Sequence, residues 1–188
     1  METLKFYLEQ YERLFNNKTF RINLSNGVSF HITFEINRFA HLLGIQYCAE
    51  STHEKEYIGF RAIENIRNET ITFEKLEITN AKMFRKFVIK KVEAFETFCS
   101  LFPDAKHLFE AIIFNAKRVV EIKDRDLEKA RLIIQDKQNP LIRFVFMFGE
   151  DSEEKPLFPL SFRKEVTSTV DYLDLQTKID IESITVEK

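Results

Sequence analysis

The sequence predicts an α+β domain in which N-terminal helices pack on a mainly antiparallel sheet of four to five strands. Three observations carry this. Apolar residues recur at helical spacing through most of the first hundred positions, and alternating β-rich runs follow. Only 4 Gly and 4 Pro in 188 residues leave few places to break an element. Helices first and strands later imply segregated layers rather than a doubly wound sheet. The expected organisation is one domain over residues 1–170, with 171–188 forming a C-terminal edge strand or a flexible tail.

Taken in order, Leu4, Tyr7, Leu8, Tyr11, Leu14 and Phe15 predict an amphipathic helix over 3–16, ended by Asn16-Asn17. Phe20, Ile22 and Leu24 alternate with polar residues, as do Val28, Phe30, Ile32 and Phe34. Between the two runs lies Ser25-Asn26-Gly27, whose Asn-Gly pair supplies the positive backbone angles of a hairpin turn. A short helix is expected over 35–43, stopped by Gly44, another over 55–67, and an extended piece over 71–76. The longest helix spans 80–101, opening after Thr79-Asn80 and ending before Pro103. Its apolar stripe is Phe84, Phe87, Val88, Val92, Phe95, Phe98, Cys99 and Phe102. Strands are expected at 107–114, 118–122, 131–135, 142–148 and 157–162, with a helical turn over 126–130. The 142–148 run is apolar on both faces, which marks a central strand.

Composition narrows the function classes. A formal net charge of −2 and a pI near 6.1 mean that any nucleic-acid contact comes from a local patch. Cys48 and Cys99 stand alone, without metal-ligand spacing, and fit a reducing cytosol. The N-terminal residues have no signal-peptide core, and no apolar run approaches a membrane span, so a cytoplasmic, soluble protein is expected. Phosphate-binding glycine motifs and the nucleophile elbow are missing. His31, His41, His53 and His107 lack zinc-site partners in sequence. No metal and no cofactor is therefore expected.

Three groups of residues remain as candidates. On a 35–43 helix with Phe39 and Leu43 buried, His41 falls on the opposite side. It reads either as a solvated surface histidine or as a general acid–base, since imidazole titrates near pH 6.5, about where such work is done. Lys91 falls inside the apolar stripe, away from Arg85, Lys86 and Lys90. A charge there snorkels out, pairs with a carboxylate or faces a phosphate. Lys82, Arg85, Lys86 and Lys90 form the densest basic cluster, either a wet helix face or a phosphate-backbone surface. Finally, strand alternation sets Ser161 opposite Phe158, Leu160 and Phe162, and Arg143 opposite Ile142, Phe144, Phe146 and Phe148. Both are thus expected to look out from the far face of the sheet. There they read as ordinary half-exposed strand residues or as phosphate contacts.

Four stretches occur in a recognisable order. They are Phe39-Ala40-His41-Leu42-Leu43-Gly44-Ile45-Gln46-Tyr47, the Phe87–Phe95 helix segment with Lys91, Phe144-Val145-Phe146-Met147-Phe148, and Leu157-Phe158-Pro159-Leu160-Ser161-Phe162. In this the chain resembles the fourth phage subgroup of a phage and mobile-element nuclease group related to barnase, EndoU, colicin and RelE toxins. The resemblance runs over residues 30–163. It implies an RNase-toxin-like fold and metal-independent RNA cleavage, with His41, Lys91 and Ser161 as catalytic residues and Arg143, Lys90, Lys86 and Arg85 on phosphate. By analogy of context, it implies as partner RNA or an RNA–protein complex, such as a CRISPR effector with its guide RNA, and hence an anti-CRISPR role. The strongly basic surface of such toxins is absent, and Glu150-Asp151-Ser152-Glu153-Glu154 is acidic. The competing reading is a non-catalytic binding protein whose acidic segments, 150–154 and 171–180, imitate nucleic acid and occupy a host nucleoprotein.

Overall fold

The computed structural model describes residues 2–50, 54–104, 106–119, 125–136, 142–150, 156–166 and 171–187. The chain divides into two compact units that alternate along the sequence. One comprises Met1–Asn17 with Phe34–Cys99, the other Lys18–Thr33 with Ser100–Lys188.

The first unit is helical. Helix α1 (Leu4–Leu14) starts where the Thr3 hydroxyl accepts from the Phe6 amide, and its buried residues Leu4, Tyr7, Leu8 and Tyr11 follow the expected stripe. Helix α2 (Phe39–Leu42) follows a 3₁₀ turn at Ile36–Arg38 and ends at Gly44, whose φ of +71° suits a residue without a side chain. Helix α3 (Gly59–Arg67) fills the second short-helix region.

The expected extended piece at 71–76 is instead the start of helix α4 (Phe73–Met83). Thr72 caps it through the Lys75 amide at 3.2 Å, and a cap decides the matter where a β-branched run alone is ambiguous. At Asn80 the helix breaks (φ −153°), and the Asn80 side chain accepts from the Met83 amide to restart it. One π turn, Phe84–Val88, leads into helix α5 (Ile89–Leu101). Tyr11, Phe15, Phe34, Phe39, Phe95 and Phe98 interlock as the core, with Phe15–Phe34 centroids 5.1 Å apart and Tyr11–Phe39 5.4 Å.

The second unit is built on one sheet. Its strands are β1 (Lys18–Leu24), β2 (Ser29–Phe34), β3 (Phe109–Ile113), β4 (Ala130–Asp136), β5 (Ile142–Gly149), β6 (Phe158–Val166) and β7 (Lys178–Glu187), in the order β2-β1-β7-β3-β4-β5-β6. The sheet is antiparallel and has seven strands among the described residues, not four to five. The surplus comes from the hairpin and the C-terminal segment, which join it. Strand β7 is neither edge nor tail: Lys178–Asp180 pairs with β3 and Ile181–Glu187 with β1. The sheet curls until its ends meet, where the amides of Thr33 and Leu157 exchange hydrogen bonds with the carbonyls of Leu157 and His31.

As expected, β5 lies inside the sheet and is apolar on both sides. One face carries Phe109, Phe146, Phe148 and Phe162, edge to face at 5.2–6.1 Å. The other carries Ile112, Phe114, Ile133, Val145 and Met147, covered by Leu127 of α6 (Arg125–Lys129) and Leu173 of α7 (Asp171–Asp174). Of the expected 118–122 strand, Arg118 belongs to a 3₁₀ turn and 120–122 lie outside the described residues. Among the described residues, no helix is long and apolar enough to cross a membrane.

Candidate functional site

His41 sits on α2, half-buried, where the flanking Phe39, Ala40, Leu42 and Leu43 are fully buried. The chain then turns at Gly44, whose amide donates to the His41 carbonyl at 3.0 Å, and enters a 3₁₀ turn, Ile45–Cys48. That reversal returns Gln46 to the histidine, with Gln46 Nε2 2.9 Å from His41 Nδ1. The sequence motif is thus a self-contained fold: a histidine, a glycine that reverses the backbone, and an amide that reaches back to the ring.

Lys91 is 6% exposed, buried with Val92, Phe95 and Phe98 in the stripe of α5. Its aliphatic stem lies against Gly44, where a Cβ would come within 2.8 Å of Lys91 Cδ. Tyr47 and Phe87 pack beside this contact with tilted rings, centroids 4.5 Å apart. His41 and Lys91 therefore both meet Gly44, inside the helical unit. Lys82, Arg85, Lys86 and Lys90 are exposed. Arg85 pairs with Glu77 at 3.0 Å, and the Lys86 ammonium stands 4.9 Å over the Phe87 ring.

Ser161 and Arg143 belong to the sheet unit, and there the expectation of an open far face fails. Ser161 is 0% exposed, because its face carries the second core rather than solvent. A bulge also leaves Leu160 without a partner on β5, opposite the Met147/Phe148 step, and Leu160 joins the core on that face. The Ser161 hydroxyl accepts from Arg163 Nε at 3.1 Å, and Arg163 Nη2 reaches Asp126 Oδ2 at 3.1 Å. Arg143, with 18% of its side chain exposed, donates to Asp174 at 3.3 Å.

Sequence reasoning missed Gln46 and Arg163. Each had a signal: Gln46 follows the glycine turn after the histidine, and Arg163 shares the period-two phase of Ser161. His31 is exposed and bonded to Glu187 at 2.8 Å, and His53 lies outside the described residues. Of the acidic segments, Glu150 bonds Arg131 at 2.7 Å, and 151–154 lie outside the described residues.

No curated protein and no solved structure matches the chain. A family model does match, over residues 3–185, and so takes in the histidine turn, the basic helix and the strands alike. On that match the chain belongs to the phage-Barnase-EndoU-ColicinE5/D-RelE like nuclease4 family.

Proposed function

We propose that the protein cleaves RNA without a metal ion, with His41 as the proton carrier and Lys91 as the nearby cation. The carrying observation is the Gly44 turn, which holds an imidazole by its Nδ1 and lies against a buried lysine stem. A ring held at one nitrogen keeps its plane, as general acid–base transfer requires. In the reaction, the ribose 2′-oxygen gives its proton to the base and attacks phosphorus. The bond to the 5′-oxygen then breaks, and an acid protonates that oxygen. Charge gathers on the phosphate oxygens, where cations stabilise it. Lys91 serves there. Arg85, Lys86 and Lys90 hold the flanking RNA backbone.

Structured RNA, a guide RNA in its CRISPR effector included, is the proposed target, in line with a phage family. Incubation of the whole chain with structured RNA in EDTA tests the chemistry. Cleavage by wild type and its loss in His41→Ala and Lys91→Ala is expected. Equal cleavage by His41→Ala refutes the catalytic assignment. If wild type binds a nucleoprotein without cutting RNA, and neutralising Glu150, Asp151, Glu153 and Glu154 abolishes that, the protein is a binding inhibitor instead.

A further inference from the structure

The His41 turn carries a second polar side chain whose two ends differ in their surroundings. Gln46 Nε2 faces His41 Nδ1 at 2.9 Å, whereas Gln46 Oε1 is buried and has no hydrogen-bond partner among the described residues. A carboxamide has a donor end and an acceptor end. A neutral imidazole presents one donor and one acceptor nitrogen, and its protonated form presents two donors. With the amide nitrogen toward the ring, Nδ1 accepts and the neutral ring carries its proton on Nε2. Once the ring gains a second proton, Nδ1 becomes a donor, and the amide nitrogen cannot receive it.

We propose that Gln46 is a positioning residue that holds His41 in both protonation states by turning its amide over. Rotation by half a turn about the last side-chain bond brings Oε1 to Nδ1–H and gives the buried oxygen the donor it lacks. Both residues come from one short stretch fixed by Gly44, with Gly44 N to His41 O and Tyr47 N to Gly44 O each 3.0 Å. The ring therefore keeps its orientation while it first takes and later returns a proton. Glutamine fits this position where glutamate would not, since a carboxylate only accepts. The inference rests on the nuclease reading for its purpose, but the hydrogen bond itself is measurable without turnover.

Long-range nitrogen–proton NMR of the imidazole in the full chain decides it. The neutral ring of His41 in wild type is expected to carry its proton on Nε2. Gln46→Glu is expected to move that proton to Nδ1, and Gln46→Met, close in length and volume, to leave both tautomers populated. In the protonated wild-type ring, absence of a hydrogen bond from Nδ1–H to the Gln46 side-chain carbonyl, read by coupling across that bond, overturns the proposal whether or not the variants fold, as does a spectrum unchanged by Gln46→Met. In RNA cleavage, Gln46→Met is expected to lower kcat on the order of tenfold with KM unchanged, a part of what general acid–base catalysis contributes. Wild type that fails to cut RNA refutes the nuclease reading alone, and the NMR result still decides the role of Gln46.

Discussion

Gly44 makes room for Lys91: a Cβ on the glycine would stand 2.8 Å from Lys91 Cδ and 3.4 Å from Cε. The two residues are far apart in sequence, so the contact ties the histidine turn to the basic helix. Its physical content is steric and conformational together, because Gly44 also has a φ of +71°. Gly44→Ala is expected to lower stability by about 1–2 kcal/mol from the left-handed backbone alone, plus the cost of displacing the lysine stem. In a Lys91→Ala background the second part vanishes and the first stays. Denaturant midpoints of the four proteins measure this, and an equal penalty in both backgrounds would mean that the contact contributes nothing.

Alkaline pH is expected to weaken the helical unit. Burial pushes the Cys48 thiol up to about 11 and, with Glu96 adding to it, the Cys99 thiol up to about 12. Burial also raises Tyr7, which donates to Glu96, and Tyr11. Each group keeps its proton longer when folded than when unfolded. Above the ordinary thiol value of 9.0 the unfolded chain therefore binds fewer protons, and stability falls with rising pH. Urea midpoints should drop between pH 9 and 11, the direction these shifts set. A flat profile over that window would contradict the burial of these groups.

Gly149 offers a test of a different kind, since its backbone φ is not in the left-handed region and only space is at issue. A Cβ there would lie 2.5 Å from the Lys129 carbonyl oxygen and 2.5 Å from Leu160 Cδ1. The leucine can turn aside. The carbonyl belongs to the segment that leads into β4, whose first residue, Ala130, pairs with Gly149. Gly149→Ala should cost about 1–3 kcal/mol, as overpacking of an interior does, measured by equilibrium unfolding. A loss below a few tenths of that would show that the β4–β5 pairing gives way freely.

Periodicity made the elements legible, and burial on both sides of a strand made the site less so. The helical stripe that includes Lys91 follows from spacing, and that lysine is indeed buried among its apolar neighbours. His41 lies off the Phe39–Leu43 face but is half-buried rather than solvated, since its neighbours Ala40 and Leu42 are buried as well. What alternation cannot tell is whether a polar residue faces water or a second core. Ser161 looked like a surface hydroxyl because its neighbours in phase were hidden in distant segments, Leu127 and Leu173 among them. Gln46 escaped notice because its role depends on the chain reversing at Gly44 rather than on any regular period. The strand count fell short for a related reason: the pairing partners of the hairpin and of the C-terminal segment are each other, across most of the chain.

That pairing carries the last prediction. Strand β7 lies between β1 and β3, and its two halves serve different neighbours, Ile181–Glu187 toward β1 and Lys178–Asp180 toward β3. Among the described residues, ending the chain after Thr177 would leave the β1–β2 hairpin joined to the remaining strands only through the Ile32–Leu157 bridge. An isolated two-stranded hairpin is marginal in water, and two bare strand edges invite association with other chains. The truncated protein is therefore expected to aggregate or to unfold without a cooperative transition, read by sedimentation and by thermal melting. A milder version keeps the length: Ile181 is 7% exposed, and Ile181→Asp places a charge where the strand changes partners. It should lower stability by several kcal/mol, on the order of what an unpaired buried charge costs. Full solubility and an unchanged midpoint in the truncated chain would mean that the curled sheet closes without its middle strand.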